Sequence, residues 1–110
     1  MLAWTAAVSD DLFPIIERLK TIGYDGVEFY LGPQEAAAYQ RMGSFVKDLG
    51  LETTAVMTVG ADDNPVSDSA EVRGRALDKI KWAVDRAYDL NSKVICGPFH
   101  SGHTIFVNRP

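Results

Sequence analysis

The chain has 110 residues, of which 46% are hydrophobic and 24% charged, and this composition is typical of one globular domain with a real core. The net charge of −4 argues against a general affinity for nucleic acids or anionic membranes, which require a basic surface. A single cysteine excludes an intrachain disulfide and favours a reducing compartment, so we expect a cytoplasmic protein. No apolar run approaches the roughly 20 residues of a membrane span, and no secretory signal is predicted.

Strands and helices alternate from the first residues onward. "MLAWT", residues 1–5, predicts the first strand, and Ser9 can cap the helix that follows. Gly23 suits the left-handed end of that helix, and "YDGVEFYL", residues 24–31, is the second predicted strand. The apolar face of the helix is expected at Leu12, Ile15, Ile16, Leu19 and Ile22.

The second half of the pattern repeats the first. A helix is predicted over residues 34–49, weakened near Gly43, and the third strand over residues 51–59. A polar loop, residues 60–69, leads to the longest helix, residues 70–90. "SKVICG", residues 92–97, is the fourth predicted strand. The buried stripe of the long helix is expected at Val72, Ala76, Ile80, Ala83, Val84 and Ala87.

This alternation predicts an α/β fold built from parallel βαβ units with right-handed crossovers. The order β-α-β-α-β-α-β corresponds to the first four β/α units of a (β/α)₈ TIM barrel, which usually takes about 250 residues. Met1 falls inside the first predicted strand, and "TIFVNRP" adds no closing helix. We therefore expect residues 1–110 to form one partial barrel domain, truncated at both ends.

Candidate site residues lie where the predicted strands end, because sites of parallel α/β folds gather at the carboxyl ends of the strands. Glu28 interrupts the apolar strand "GVEFY", where an unpaired buried charge is costly. It is either an anchor for substrate or a support for a site histidine, or else it pairs with an Arg or His for structural reasons alone.

The segment "CGPFHSGH", residues 96–103, contains both histidines of the chain. His100 could bind substrate, transfer a proton or ligate a metal, or it could only hydrogen-bond the next loop. "HSGH" is a weak metal motif, since a glycine-containing loop fixes no ligand geometry and no third ligand is near in sequence. His103 is therefore left unassigned.

Three other residues have a structural alternative to a site role. Leu2 and Trp4 share one face of the first predicted strand, and Trp4 could wall a sugar pocket or fill the core. Cys96 is expected to be a small buried strand residue, because no base lies beside it. No glycine-rich nucleotide loop and no GxSxG nucleophile motif is present.

Four segments, "MLAWTA", "LKTIGYDGVEFYL", "LGLETTAV" and "GPFHS", together resemble the xylose isomerase-like TIM-barrel superfamily. The resemblance is strongest to its sugar phosphate isomerase/epimerase branch, which includes D-tagatose and D-psicose 3-epimerases. It implies an isomerase of carbohydrate metabolism that moves a proton next to a ketose carbonyl through an enediolate. It also implies a divalent metal, Mn²⁺ or Mg²⁺ and less often Co²⁺ or Zn²⁺.

The metal ligands of this family, two glutamates, an aspartate and a histidine, come from later strands. The resemblance therefore assigns no metal ligand and no catalytic residue to this chain, and we expect the chain alone to be inactive. It implies a sugar or sugar phosphate as the small-molecule partner, no nucleic acid or membrane partner, and a homo-oligomer for the full-length protein. Substrate-binding roles are carried over to Leu2, Trp4, Glu28, Pro98, Phe99, His100 and Ser101.

Two alternatives stay open. One is an endonuclease of the same superfamily acting on abasic DNA, although the acidic residues Asp62, Asp63 and Asp68 disfavour a phosphate backbone there. The other is a non-catalytic half-barrel that pairs with a copy of itself or another subunit through exposed strand edges.

Overall fold

The computed structural model describes residues 4–106. A 3-10 turn, Asp10–Leu12, precedes the first α-helix. The helices are α1 (Phe13–Ile22), α2 (Ala36–Asp48) and α3 (Ala70–Asp89), and the strands are β1 (Gly26–Tyr30), β2 (Glu52–Val56) and β3 (Ile95–Cys96).

The three strands form one parallel sheet in the order β1-β2-β3, which confirms the predicted α/β fold. Residues 1–3 of the first predicted strand lie outside the described residues, and Trp4 and Thr5 are not in a strand. β3 is shorter than predicted because its ends are bent. Gly97, with φ 114°, ends it in the left-handed region, and the Ser92 hydroxyl donates to the Val94 carbonyl before it.

Two helix ends follow the predicted local chemistry, and the predicted cap at Ser9 does not form. Gly23, with φ 109°, ends α1 as expected, and its N–H donates to the carbonyls of Leu19 and Lys20. Ser69 caps α3, accepting from Val72 N at 3.4 Å. Ser9 precedes the 3-10 turn instead of an α-helix, and its side chain makes no capping hydrogen bond.

The core lies between the helices and one face of the sheet. Val27, Phe29 and Ala55 are buried there, whereas Glu28 and Cys96 on the opposite face are exposed. The expectation of a buried Cys96 is therefore wrong. Side chains alternate between the faces of a strand, and the register places Cys96 beside Val56 on the face that the described helices do not cover.

The helical stripes are narrower than predicted. Ala76, Ala83 and Ala87 are buried, but Val84 is 55% exposed because it lies about 100° around the helix from Ala83. Ile22 is 63% exposed because it is the last residue of α1.

Gly43 is a contact point between helices as well as a weak helix former. It is buried, and a Cβ added there would come within 2.1 Å of the Asp89 carbonyl oxygen at the end of α3. The Gly43 carbonyl also accepts from Asn91 Nδ2 at 3.2 Å. The glycine therefore permits close approach of α2 and α3, which a larger residue would prevent.

Candidate functional site

Glu28 is the middle residue of the edge strand β1, and its side chain on the open sheet face receives hydrogen bonds from both other strands. Thr54 Oγ1, directly opposite in the register, donates to Glu28 Oε2 at 3.2 Å. Cys96 Sγ donates to the same oxygen at 3.3 Å. Two hydrogen bonds thus orient this exposed carboxylate on the open sheet face, two residues before the carboxyl end of β1.

Cys96 is held in its thiol form by this arrangement. The hydrogen bond to the Glu28 carboxylate raises the pKa of Cys96, slight desolvation of the exposed thiol adds to the rise, and the negative charge of Glu28 raises it further. The Cys96 thiol also contacts the Ala55 carbonyl at 3.3 Å. Because the thiolate is the reactive form, this environment makes Cys96 a hydrogen-bond donor and a poor nucleophile.

Tyr30 is the last residue of β1, and Thr58 lies two residues beyond β2. Together with Glu28 and Thr54, they form what we call the rim. The Tyr30 hydroxyl and Thr58 Oγ1 are 2.8 Å apart, and either can donate. Because β1 alternates its side chains, Tyr30 projects from the same face as Glu28. The rim therefore carries a carboxylate, a phenol and two hydroxyls.

The loop after β3, residues 97–105, carries most of the predicted site residues. Phe99 is half-buried and packs against the core, and Pro98 is half-buried beside it. His100 is exposed, and its Nδ1 lies 2.9 Å from Ser101 Oγ. The structure thus pairs His100 with Ser101, while Phe99 attaches the loop to the core.

Sequence reasoning missed Asn64, which joins the loop after β2 to the loop after β3. Asn64 is 8% exposed, and its Oδ1 accepts from Val66 N at 3.2 Å and from Gly102 N at 2.9 Å. Close by, His103 N donates to the Val59 carbonyl at 2.7 Å. In sequence, Asn64 signals only a turn, because nothing local links it to a residue 38 positions later.

Trp4 lies in a different groove from the rim. It is exposed, and the groove that it lines is formed by residues of α1, including Pro14, Arg18 and Ile22. Leu2 lies outside the described residues. The structure therefore does not bring Trp4 together with Glu28 in one pocket, and the sugar-binding roles of Leu2 and Trp4 remain predictions.

A further groove among the described residues lies between the β1–α2 loop and α3. Its volume is about 570 Å³, and Tyr30 belongs to it. Lys79, Trp82 and Arg86 of α3 form the opposite wall. No sequence motif marked Trp82 or the two cations as a site.

Two features are absent from residues 4–106, a metal-binding cluster and a membrane-spanning helix. Within that range, no group of three or more His, Cys, Asp or Glu side chains could hold a metal ion. These residues therefore do not fit the metal that the family resemblance implies. No helix in the same range is both long and apolar enough to cross a membrane.

Comparison with protein families matches residues 16–110 to the xylose isomerase-like TIM barrel. The chain belongs to this family. A search of curated proteins found no match. The predicted partial barrel is confirmed. Solved structures match almost the whole of this chain, but the match covers only part of each solved structure.

Three solved structures illustrate the fold. D-psicose 3-epimerase in the presence of D-fructose has a TM-score of 0.79 at 24% identity, over 97% of this chain and 38% of that one. L-ribulose 3-epimerase has a TM-score of 0.82 at 22% identity, and the match covers 97% of this chain and 36% of that one. D-psicose 3-epimerase with D-tagatose from Clostridium cellulolyticum has a TM-score of 0.77 at 19% identity, and the match covers 92% of this chain and 37% of that one. The chain thus spans little more than a third of each.

Proposed function

We propose that this chain is the amino-terminal part of a ketose 3-epimerase-like sugar isomerase/epimerase. Membership of the xylose isomerase-like TIM-barrel family and the fold shared with ketose 3-epimerases support this class. The observation that carries the proposal is the Glu28 carboxylate, oriented by Thr54 and Cys96 on the open sheet face, two residues before the carboxyl end of β1, near which barrel sites gather.

The proposed role of the rim is to hold the sugar. An oriented carboxylate can accept hydrogen bonds from sugar hydroxyls, since bonds to a charged acceptor are stronger than those between neutral groups. His100 and Ser101 supply further polar atoms on the loop after β3, and Pro98 and Phe99 supply apolar surface. The ligand is a small sugar or sugar phosphate, as the resemblance implies.

Catalysis is proposed for the complete enzyme and not for this chain alone. Proton transfer next to a carbonyl needs a base and stabilisation of the developing oxyanion. Residues 4–106 provide no cluster able to hold the metal expected for the family. We therefore propose that the 110-residue chain binds a ketose without epimerising it. The homo-oligomeric state and the cytoplasmic location stay predictions.

Ligand-observed NMR tests the proposal on the 110-residue chain. Saturation transfer to D-fructose and D-psicose should be detected, and Glu28→Gln should weaken it. Glu52→Gln, an exposed carboxylate on the neighbouring strand, is the matched control and should have no effect. Equal signals from both variants, or no transfer from the wild-type chain, would overturn the proposed sugar site.

An activity assay tests the second part. Interconversion of D-fructose and D-psicose should be absent with Mn²⁺ added, and measurable turnover would contradict the proposed inactivity of the chain. Salt-dependent binding to duplex DNA with an abasic site would instead support the endonuclease alternative.

A further inference from the structure

Asn64 is a buried polar side chain in the loop that follows β2. It is 8% exposed, and burial of an amide costs free energy unless its polar atoms are hydrogen-bonded. Its Oδ1 accepts two backbone N–H groups, that of Val66 at 3.2 Å and that of Gly102 at 2.9 Å. The first bond shapes the loop of Asn64 itself, and the second reaches the loop after β3.

Gly102, the donor of the long-range bond, is itself buried against the loop after β2. A Cβ added to Gly102 would come within 3.0 Å of the Gly60 carbonyl oxygen, so the two loops meet backbone to backbone. The residue before it is Ser101, whose Oγ lies 2.9 Å from His100 Nδ1. The contact between the loops is therefore directly beside the His100–Ser101 pair.

The loop that carries Asn64, residues 60–69, is anchored to α3 by three cations of that helix. Each cation contacts an oxygen atom of the loop, and the pairs are Arg73 with the Ser67 carbonyl, Arg75 with the Asp62 carbonyl and Lys79 with the Asp63 carboxylate. The anchors lie on both sides of Asn64 in sequence. The amide thus projects from a loop whose position is fixed by a 20-residue helix.

The loop after β3 has a strained backbone that depends on outside contacts. Thr104 has a φ of 63°, in the left-handed region that a β-branched side chain rarely adopts. Such strain persists only where the surrounding structure holds the backbone in place. Two described hydrogen bonds from residues 100–105 reach the loop after β2, Gly102 N to Asn64 and His103 N to the Val59 carbonyl. Of these two, only the first depends on a side chain.

We propose that Asn64 is a positioning residue for ligand binding, which acts by holding Gly102 and thereby the adjacent His100–Ser101 pair. The pair supplies polar side-chain atoms on the loop after β3. A loop that is already ordered binds a ligand more tightly than one that must be ordered on binding. The assignment of the ligand as a ketose rests on the proposed function, whereas the ordering of the loop stands on these contacts.

The order of the loop in the ligand-free chain tests the first step. Amide order parameters from NMR relaxation should be about 0.85 for residues 99–103 of the wild type, and Asn64→Ala should lower them below about 0.6. Asn64→Asp keeps an acceptor oxygen at this position and should restore the order at neutral pH. Thermal unfolding followed by circular dichroism checks that each variant is folded.

A double-mutant cycle tests whether Asn64 acts through the histidine. In ligand-observed NMR titrations, Asn64→Ala should bind D-psicose about fivefold more weakly, the effect of losing roughly one hydrogen bond. His100→Ala should have a similar effect. The double variant should also be about fivefold weaker, and not about 25-fold, because residues that act through the same contact are not additive. A purely structural role would lower the affinity equally in both backgrounds.

Asn91→Ala is the matched control, because it removes an amide at the opposite end of the sheet. Asn91 precedes β3, and its Nδ2 donates to the Gly43 carbonyl at 3.2 Å. Its φ of 57° suits asparagine better than alanine. The variant should therefore unfold at a lower temperature, yet leave the loop order and the D-psicose affinity unchanged. A loss of stability is thereby separated from a loss of loop position.

Two outcomes overturn the inference: loop order that is unchanged in Asn64→Ala, or an affinity loss in Asn64→Ala that persists in full without His100. The proposed function fails separately, if the wild-type chain binds no ketose. The order parameters then decide the inference alone, and a loop that is disordered in Asn64→Ala but ordered in Asn64→Asp and Asn91→Ala supports it.

Discussion

Asn64 Oδ1 accepts the backbone N–H of Gly102 at 2.9 Å, in a buried position that joins the loops after β2 and β3. The second of these loops carries His100 and Ser101. The Asn64 amide, together with the hydrogen bond from His103 N to the Val59 carbonyl, thus holds the histidine loop against its neighbour.

Asn64→Ala should release this loop. It leaves the amides of Gly102 and Val66 without their acceptor, which costs about 1–3 kcal/mol of unfolding free energy for a buried group. Hydrogen exchange followed by NMR should show faster exchange at both amides. The His103 amide, bonded to the Val59 carbonyl, is an internal reference and should change less. Unchanged protection at Gly102 would refute the link.

Gly43 and Gly74 should respond oppositely to the same substitution. Gly43→Ala places a methyl group 2.1 Å from the Asp89 carbonyl oxygen, so we expect a loss of about 2 kcal/mol or more from overpacking. Gly74→Ala, in α3, meets no atom within 4 Å and should gain about 0.5–1 kcal/mol from helix propensity. Urea unfolding measures both. Similar stability changes would show that α2 and α3 do not approach closely.

Glu28 should control the reactivity of the single cysteine. Its carboxylate raises the pKa of Cys96, so Glu28→Gln should lower that pKa and speed alkylation by iodoacetamide at about pH 8. A pH series of alkylation rates measures the pKa directly. Glu52→Gln serves as the comparison, and a pKa that moves equally in both variants would mean that the hydrogen bond to Glu28 is not responsible.

The Lys79–Asp63 pair should make stability sensitive to acid. Partial burial raises the pKa of Asp63, but hydrogen bonds from Lys79 and from the Gly60 amide, together with the charge of Lys79, outweigh it and leave the pKa below 3.8. Because the pKa of Asp63 is lower in the folded chain than in the unfolded chain, its ionised carboxylate stabilises the fold at pH values above the unfolded pKa. This stabilisation is lost as the pH falls through the folded pKa.

The measurement is urea unfolding of the wild-type chain and Asp63→Asn across the acid range. The difference in unfolding free energy should be greatest near neutral pH and should shrink below about pH 4. Asp62→Asn is the control, because Asp62 bonds to Arg75 through its backbone carbonyl and, within residues 4–106, forms no ion pair through its carboxylate. A difference between the wild type and Asp63→Asn that does not change with pH would contradict the role of the ionised pair.

Several expectations failed where a side chain's surroundings depend on distant elements. Cys96 is exposed because the described helices cover only one face of the sheet, which its own strand does not reveal. Val84 is exposed because it lies to one side of the α3 residues that contact the core, Ala83 and Ala87. The groove at Trp82 exists because the β1–α2 loop lies opposite α3.

The sequence by itself determined the alternation of strands and helices, the glycine end of α1, the polar loop before α3, and the family. These follow from periodicity and from residues close together in the chain, which act before the elements pack. Only the tertiary structure decided that Asn64 accepts a hydrogen bond from Gly102 and that Glu28 accepts hydrogen bonds from Thr54 and Cys96. The same is true of the groove in which two cations flank Trp82. Such contacts join residues far apart in sequence, and only the packing of helices against the parallel sheet brings them together.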